Sequence, residues 1–199
     1  MAADLLRFAG RFLRHPMRVG AVAPSSRHLA RAMVEGLEIG AGQAVVEFGP
    51  GTGAFTEAIR TRLGPSARYL GIERDGAFVA MLRRRFAGLQ FVEDSAEHAP
   101  RLVREAGLGP VAAIICGLPF ASLPPRVQDG VIEAVDALLG PGGEFRTFQY
   151  AHAWPLPTAV RYRRRMAAIL GPPHRRGPIW RNLPPAFVLT WRKPGQPSA

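Results

Sequence analysis

The sequence predicts an α/β fold in which helices cover both faces of a doubly wound, mostly parallel sheet. Short apolar segments with strand character alternate along the chain with helical segments of about ten to fifteen residues. A glycine-rich turn follows the first of these strands and opens a helix. With 199 residues and 47% hydrophobic residues, the chain is long enough for one domain with a sizeable core.

Six segments carry strand patterning, at 43–48, 67–73, 89–93, 111–116, 143–150 and 186–192. The segment 111–116 (VAAIIC) is an apolar run of the kind found in fully buried strands. The segment 186–192 is predicted to close the sheet as an antiparallel strand. Because ligands bind such sheets at the carboxyl ends of the strands, we expect functional residues in the turns that follow them.

Five helices are predicted between these strands, at about 52–63, 77–86, 96–106, 125–139 and 158–170. A further helix at 4–14 is strongly amphipathic, since at about 100° per residue its apolar side chains oppose Arg7, Arg11 and Arg14. Aromatic side chains opposite arginines are typical of a helix lying in a membrane interface. The alternative is an amphipathic helix packed on the core.

The positive charge is concentrated near the end of the chain. Between Phe145 and Ala199 there are nine arginines and Lys193 but no acidic residue, which accounts for ten of the eleven net charges. This predicts a polyanionic partner, either nucleic acid or an anionic membrane. The alternative is a set of solvated arginines.

Cys116 is the only cysteine, which fits a reducing compartment. The arginines of the N-terminal segment argue against a secretory signal, and no apolar run approaches the ~18 residues of a membrane span. We therefore expect a cytoplasmic protein bound peripherally to the inner membrane. Residues 1–15 would bind the membrane, 16–193 would form one domain, and 194–199 would be a flexible tail.

The sharpest motif is Glu47-Phe48-Gly49-Pro50-Gly51-Thr52-Gly53, between the first strand and the next helix. Glycines allow a tight turn and close approach of a ligand, and the helix start favours an anionic group. Glu47 suits a cationic amino group. Taken alone, the spacing also fits the dinucleotide pattern G-x-G-x-x-A.

The ends of three further strands carry residues that could bind a nucleotide cofactor. Glu73 ends the second strand and would bind ribose hydroxyls, as either cofactor requires. Asp94 and Ser95 follow the third strand, where an acid can accept a hydrogen bond from an adenine amino group. Gly117 follows the fourth strand.

At these positions the chain resembles class I methyltransferases. The resemblance implies a Rossmann-like fold with a seven-stranded, mostly parallel sheet, and S-adenosylmethionine as cofactor with S-adenosylhomocysteine as product. Eight residues match the cofactor motifs of that class: Glu47, Gly49, Gly51, Gly53, Glu73, Asp94, Ser95 and Gly117.

Within the class, the chain resembles the bacterial phospholipid N-methyltransferases, which convert phosphatidylethanolamine to phosphatidylcholine. The segment 14–26 (RHPMRVGAVAPSS) and Gly117-Leu118-Pro119 carry this resemblance. The ribosomal-RNA adenine dimethyltransferases are the other near family, and they place Asn, Asp or Ser at the position of Gly117 to hold the adenine amine. Gly117 has no side chain for this role, which weighs against an adenine substrate, and we do not expect nucleic acid as a partner.

Methyl transfer to ethanolamine requires a neutral amine, so a proton acceptor is needed. The candidates are Tyr150, ranked first, His152 and His28. Aromatic rings could hold the methylated ammonium, and arginines could hold the lipid phosphate. The candidate substrate residues are Ser25, Leu118, Phe120, Trp154, Arg18, Arg161 and Arg164, and we expect no metal.

Other functions remain open from the sequence. The basic C-terminal stretch suits an RNA methyltransferase, and a protein methyltransferase is a further alternative. A nicotinamide enzyme would need a substrate domain, for which the chain after residue 150 is short. A non-catalytic binding module is also compatible with the motifs.

Overall fold

The computed structural model describes residues 25–195, which form a seven-stranded sheet with helices on both faces. The predicted helix at 4–14, Arg18 and residues 196–199 lie outside the described residues. The strands are β1 Ala44–Phe48, β2 Arg68–Glu73, β3 Gln90–Glu93, β4 Val111–Cys116, β5 Leu139–Tyr150, β6 His174–Ile179 and β7 Ala186–Arg192. The helices are α1 Arg27–Val34, α2 Ala54–Arg60, α3 Gly76–Arg85, α4 Ala99–Glu105, α5 Pro125–Leu138 and α6 Pro157–Leu170.

The sheet has the strand order β3-β2-β1-β4-β5-β7-β6. Strands β1 to β5 are parallel, and β7 is antiparallel to both β5 and β6. The chain leaves β1 towards β2 on one side and returns to β4 on the other. This reversal opens a crevice at the carboxyl ends of β1 and β4, the usual ligand position in open α/β sheets.

Alternating side chains of the central strands fill two cores. Val45 and Ile115 belong to the core beneath α1, α2 and α3, whereas Val46 and Ile114 belong to the core beneath α4, α5 and α6. The alternation follows from the two-residue period of a strand. Because helices cover both faces, β1 is buried along its whole length, as its apolar sequence predicts.

The sequence patterns did not locate α1 or β6. Ser26 caps α1, since its hydroxyl accepts a hydrogen bond from the backbone N–H of Leu29 at 3.2 Å. Strand β6 reads HRRGPI and has four exposed residues, so it lacks the apolar alternation by which strands are recognised. It lies at the sheet edge, where charged side chains discourage pairing with other chains.

Some predicted boundaries also change. Strand β5 begins at Leu139 rather than residue 143, since Leu139 already pairs with Val111 of β4. The predicted helix at 96–106 begins as a 3-10 turn, Ala96–His98, and becomes α4 afterwards. The antiparallel strand predicted at 186–192 is confirmed as β7 with the same bounds.

Candidate active site

The strand register brings four of the predicted turns to one edge of the sheet. Phe48 at the end of β1 aligns with Ile72 of β2 and with Cys116 at the end of β4, and Glu73 aligns with Glu93 of β3. The turns after β1, β2, β3 and β4 therefore share the carboxyl edge.

The glycine-rich loop, residues 49–53, is held against β2. The N–H of Gly49 donates to the carbonyl of Ile72 at 2.9 Å, and the N–H of Gly51 donates to Oε2 of Glu73 at 3.0 Å. Gly53 begins α2 with φ +81°, and a Cβ there would lie 2.6 Å from Cε2 of Phe86, so only glycine fits. A Cβ at Gly51 would meet nothing closer than 4.0 Å, which leaves this side of the loop open.

Glu47 is fully buried and has one free oxygen. Its Oε2 accepts hydrogen bonds from Tyr69 at 2.5 Å and Thr56 at 2.8 Å, while no group among residues 25–195 donates to Oε1. Burial raises the pKa of Glu47 to about 7. An ammonium group would satisfy Oε1, so the carboxylate fits the amino group of a methionyl cofactor.

Tyr69 reaches Glu47 because β2 carries a glycine beside it. Gly71 pairs with Glu47 in the sheet, and a Cβ at Gly71 would lie 2.8 Å from the Tyr69 hydroxyl. The edge of the Tyr69 ring packs against Phe91. The sequence analysis missed Tyr69 and Thr56. The available signal was a hydroxyl-bearing ring two residues before a glycine in an otherwise apolar strand.

The carboxylate of Glu73 is partly used within the chain. Its Oε2 accepts from Gly51 and its Oε1 accepts from the N–H of Asp75 at 3.0 Å. Each carboxylate oxygen can accept a second hydrogen bond, and the side chain is only half-buried. Glu73 therefore both fixes the loop and keeps acceptor positions for ribose hydroxyls.

Asp94 is bound more fully by its own neighbours. It accepts from the N–H of Ser95 and lies 2.7 Å from both Nδ1 of His98 and a guanidinium nitrogen of Arg101. The hydrogen bond with His98 is the main cause that lowers the pKa of Asp94. The Ser95 hydroxyl donates to Glu97 at 2.8 Å. These contacts fix the start of the helical segment, and an adenine contact by Asp94 or Ser95 stays a prediction.

Gly117 is required by its contact with the glycine-rich loop. Its N–H donates to the carbonyl of Phe48 at 2.8 Å, and a Cβ at Gly117 would lie 2.6 Å from the carbonyl oxygen of Gly49. The Leu118 side chain packs against Gly49, because a Cβ at Gly49 would lie 2.7 Å from Cδ2 of Leu118. The missing side chain at this strand end is thus a consequence of close backbone packing.

The three candidate proton acceptors have different surroundings. Tyr150 ends β5 and is buried, and burial raises its pKa, so it stays a neutral phenol and is a poor general base. His152 is exposed and stacks on Tyr150, with ring centroids 5.6 Å apart. His28 lies on α1, where desolvation and then Arg181 and other arginines lower its pKa.

The structure buries one predicted substrate residue and gives two others partners within the chain. Phe120 is 1% exposed and stacks on Tyr162 at 3.8 Å, so its ring faces the core and not a ligand. One face of Trp154 is already covered by the Arg163 guanidinium, 3.8 Å from the ring centroid. Arg161 forms an ion pair with Asp129 and a hydrogen bond with Gln128, which joins α6 to α5. The partners of Phe120 and Arg161 come from distant parts of the sequence, and substrate contacts by Trp154 and Arg161 stay predictions.

The remaining predicted residues have less defined surroundings. Ser25 is half-buried just before α1, and Arg164 is exposed without an ion-pair partner among residues 25–195. Within the same residues no helix is long and apolar enough to cross a membrane. No group of three potential metal ligands occurs in the described chain.

Many of the C-terminal basic side chains form ion pairs, but they share four carboxylates among them. Six of the ten basic side chains lie within 4.0 Å of an acid that belongs to β5 or precedes it: Arg146 and Arg192 with Glu144, Arg161 and Arg165 with Asp129, Arg176 with Glu35, and Lys193 with Asp136. The C-terminal quarter therefore keeps a net positive charge, and its binding to a polyanion stays a prediction.

Comparisons with known proteins agree with this geometry. A family model described as a methyltransferase domain matches residues 45–143. An ornithine lipid N-methyltransferase from Singulisphaera acidiphila is 32% identical over 145 residues, which cover 71% of this chain and 76% of that protein.

Solved structures share the fold at low identity. An rRNA methylase from Streptococcus thermophilus has a TM-score of 0.62 and 15% identity, covering 87% of this chain and 99% of that one. TrmN from Thermus thermophilus has a TM-score of 0.61 and 18% identity over 90% of this chain, which spans only 52% of TrmN.

Proposed function

The chain belongs to the S-adenosylmethionine-dependent methyltransferases, and on that premise we propose that it methylates the amine of a membrane lipid headgroup. The substrates would be phosphatidylethanolamine and its mono- and dimethyl forms, with ornithine lipid as the second candidate. The similarity to an ornithine lipid N-methyltransferase carries the proposal, because both lipids present an amine on a headgroup. The enzyme would act at an anionic membrane surface as a peripheral protein.

The cofactor fits the residues at the carboxyl edge. Glu47 would hold the methionyl amino group through its free Oε1, and Glu73 would hold the ribose hydroxyls while fixing the loop at Gly51. The open side of Gly51 leaves room for a ligand to approach the backbone. When bound, S-adenosylmethionine supplies an electrophilic methyl group for in-line transfer to a neutral amine.

The lipid ammonium must lose a proton before it can accept the methyl group. His152 is the better acceptor on this chain, because it is exposed, whereas burial keeps Tyr150 a neutral phenol. The Tyr150 hydroxyl could then hydrogen-bond the amine and help to orient it. Ring contacts run from Tyr150 through Phe148 to Phe55 of α2, which links this pair to the helix that follows the glycine-rich loop.

An RNA adenine methyltransferase has less support. At the end of β4, Gly117 has no side chain to hold an adenine amine, and a larger residue would press on the Gly49 carbonyl. Six of the ten basic C-terminal side chains are paired with acids, so fewer of them are free to contact RNA phosphates. The likeness to RNA methylases is a likeness of fold.

The test is methyl transfer from labelled S-adenosylmethionine to vesicles, with the lipid products separated. We expect label in phosphatidylethanolamine derivatives and none in RNA. Parallel vesicles containing ornithine lipid would distinguish the two lipid substrates. Absence of label in either lipid, while calorimetry shows that S-adenosylhomocysteine binds, would refute the lipid proposal.

The proton acceptor is tested by His152→Gln. We expect kcat on phosphatidylethanolamine to fall by about 10²-fold or more with little change in KM, since general bases typically contribute that much. Exposed His174, on β6, provides the matched control His174→Gln, which should leave kcat unchanged. Equal rates for the two variants would exclude His152.

A further inference from the structure

The loop between β6 and β7, residues 180–185, exposes two large apolar side chains. Trp180 is 75% exposed and Leu183 is 82% exposed. The other large apolar residues exposed in the described chain, Leu156 and Ile169, are 43% and 38% exposed. A tryptophan and a leucine presented together at a loop tip are an unusual use of apolar surface in a soluble fold.

Hydrogen bonds of Asn182 hold this loop in one conformation. The side chain of Asn182, buried between the two apolar residues, accepts a hydrogen bond from the N–H of Ser26 at 2.9 Å and donates to the carbonyl of Pro184 at 2.7 Å. The N–H of Asn182 also donates to Ile179. The loop is thereby fixed to the start of α1.

Arginines lie near Trp180, at the junction of the loop and α1. Arg181 lies between Trp180 and Asn182 in the sequence, and after desolvation its charge and those of Arg27 and Arg31 lower the pKa of His28. These three arginines have no ion-pair partner among residues 25–195, unlike most basic residues of the C-terminal quarter. A shallow cleft between α1 and the loop is lined by Trp180, His28, Arg31 and Arg181, together with the ion pair of Glu35 and Arg176.

The loop also lies beside the candidate active site. Ala186, which follows it, pairs with Tyr150, and the carbonyl of Pro185 accepts a hydrogen bond from Ala151. Through Ser26 it borders the point where residues 1–24 join the described chain. A surface bound here would be close to the carboxyl edge of the sheet.

We propose that Trp180 and Leu183 dock the enzyme on an anionic lipid bilayer, with Arg27, Arg31 and Arg181 contacting the anionic headgroups. The proposal rests on the lipid substrate proposed above and names the surface through which the bilayer is met. Tryptophan favours the membrane interface because its ring is apolar and its N–H is polar, and arginines are attracted to anionic lipids. The proposal does not depend on the predicted membrane-binding helix at 4–14.

The test measures where Trp180 sits when the full chain binds vesicles of equal parts phosphatidylglycerol and phosphatidylcholine. These vesicles contain no phosphatidylethanolamine, so binding is measured apart from methylation. Brominated lipids should quench the fluorescence of Trp180. The variant Trp180→Ala keeps Trp154 and Trp191, so subtracting its signal from that of the wild type isolates the emission of Trp180. Aqueous iodide should quench it before but not after vesicles are added.

Vesicle affinity gives the second readout. The variant Trp180→Ala/Leu183→Ala should bind these vesicles at least about tenfold more weakly, since loss of one inserted apolar side chain alone accounts for roughly that factor. The matched control Leu156→Ala/Ile169→Ala removes exposed apolar groups from α6 and the turn before it, and should bind as the wild type does. Thermal melting without vesicles checks that both variants fold.

Two results would overturn the docking surface. One is Trp180 that remains open to iodide on vesicle-bound protein. The other is Trp180 that is shielded before vesicles are added, which would mean that residues 1–24 or a second copy cover it. Failure of the lipid-substrate proposal looks different, because Trp180 would then insert normally while no lipid amine gains label.

Discussion

Replacement of Glu47 by glutamine tests the centre of the candidate cofactor site. The substitution keeps the size of the side chain but removes a carboxylate that is completely buried. In the wild type, burial raises the pKa from 4.5 to about 7. At 1.36 kcal/mol for each pH unit, this difference corresponds to roughly 3 kcal/mol against the ionised form.

The sign of the pH dependence follows from this raised pKa. Between pH 4.5 and about 7 the folded protein holds a proton on Glu47 that the unfolded chain has released, so the free energy of unfolding falls as pH rises through this window. Below pH 4.5 the full stabilisation is present. Glu47→Gln should lose this slope, as measured by urea denaturation across pH 4 to 8.

The same variant should bind the cofactor product more weakly. The charged hydrogen bond from the methionyl ammonium to Oε1 contributes about 1.5–3 kcal/mol, so S-adenosylhomocysteine should bind roughly 10- to 150-fold more weakly. Methylthioadenosine, which lacks the amino acid part, should bind both proteins equally. At pH 6 the wild type should release about 0.9 proton per ligand bound, and the variant almost none.

Isothermal titration in two buffers of different ionisation enthalpy measures both effects. An unchanged affinity for S-adenosylhomocysteine would show that Glu47 does not contact the amino group. Equal losses for both ligands would show instead that the substitution deforms the loop. The unchanged affinity would refute the assignment of the free Oε1 to the methionyl ammonium.

Three further substitutions test the surrounding structure. Tyr69→Phe should lower the free energy of unfolding by about 1–3 kcal/mol at pH 8 and by less at pH 4, since Glu47 is then protonated; equal losses in urea at both pH values would count against this. Gly117→Asn should abolish the rise in melting temperature with S-adenosylhomocysteine, because its Cβ would displace the glycine-rich loop; a retained rise would contradict that packing. Glu144→Gln should cost about 3–5 kcal/mol, because it leaves the buried Arg146 guanidinium without its counter-charge; a loss under about 1 kcal/mol in urea would exclude this.

Much of the fold could be predicted because its signals are local. The apolar runs of the first four strands and the helices between them each report their own period within about ten residues. The glycine-rich loop carries its conformation in its residue types, so its place after β1 was also predictable. Strand β6 could not be found this way, because an exposed, charged edge strand takes its structure from pairing with β7.

The candidate site was predicted in part for the same reason. Positions at strand ends follow from the order of elements, and the register confirms that Phe48, Ile72 and Cys116 align at one edge. The hydrogen-bond partners and the burial of each side chain could not be predicted from the order of elements. Tyr69 lies 22 residues from Glu47 and reaches it only across a strand pair.

The sequence by itself determined the alternating architecture, the glycine-rich loop and the resemblance to methyltransferases, because these depend on residue type and spacing along the chain. Only the tertiary structure decided which side chains are free to act. It buried Phe120 against Tyr162 and paired Arg161 with Asp129, while it left Trp180 exposed. Burial and charge pairing depend on distances between groups far apart in the chain, and those distances exist only once the sheet and its helices have packed.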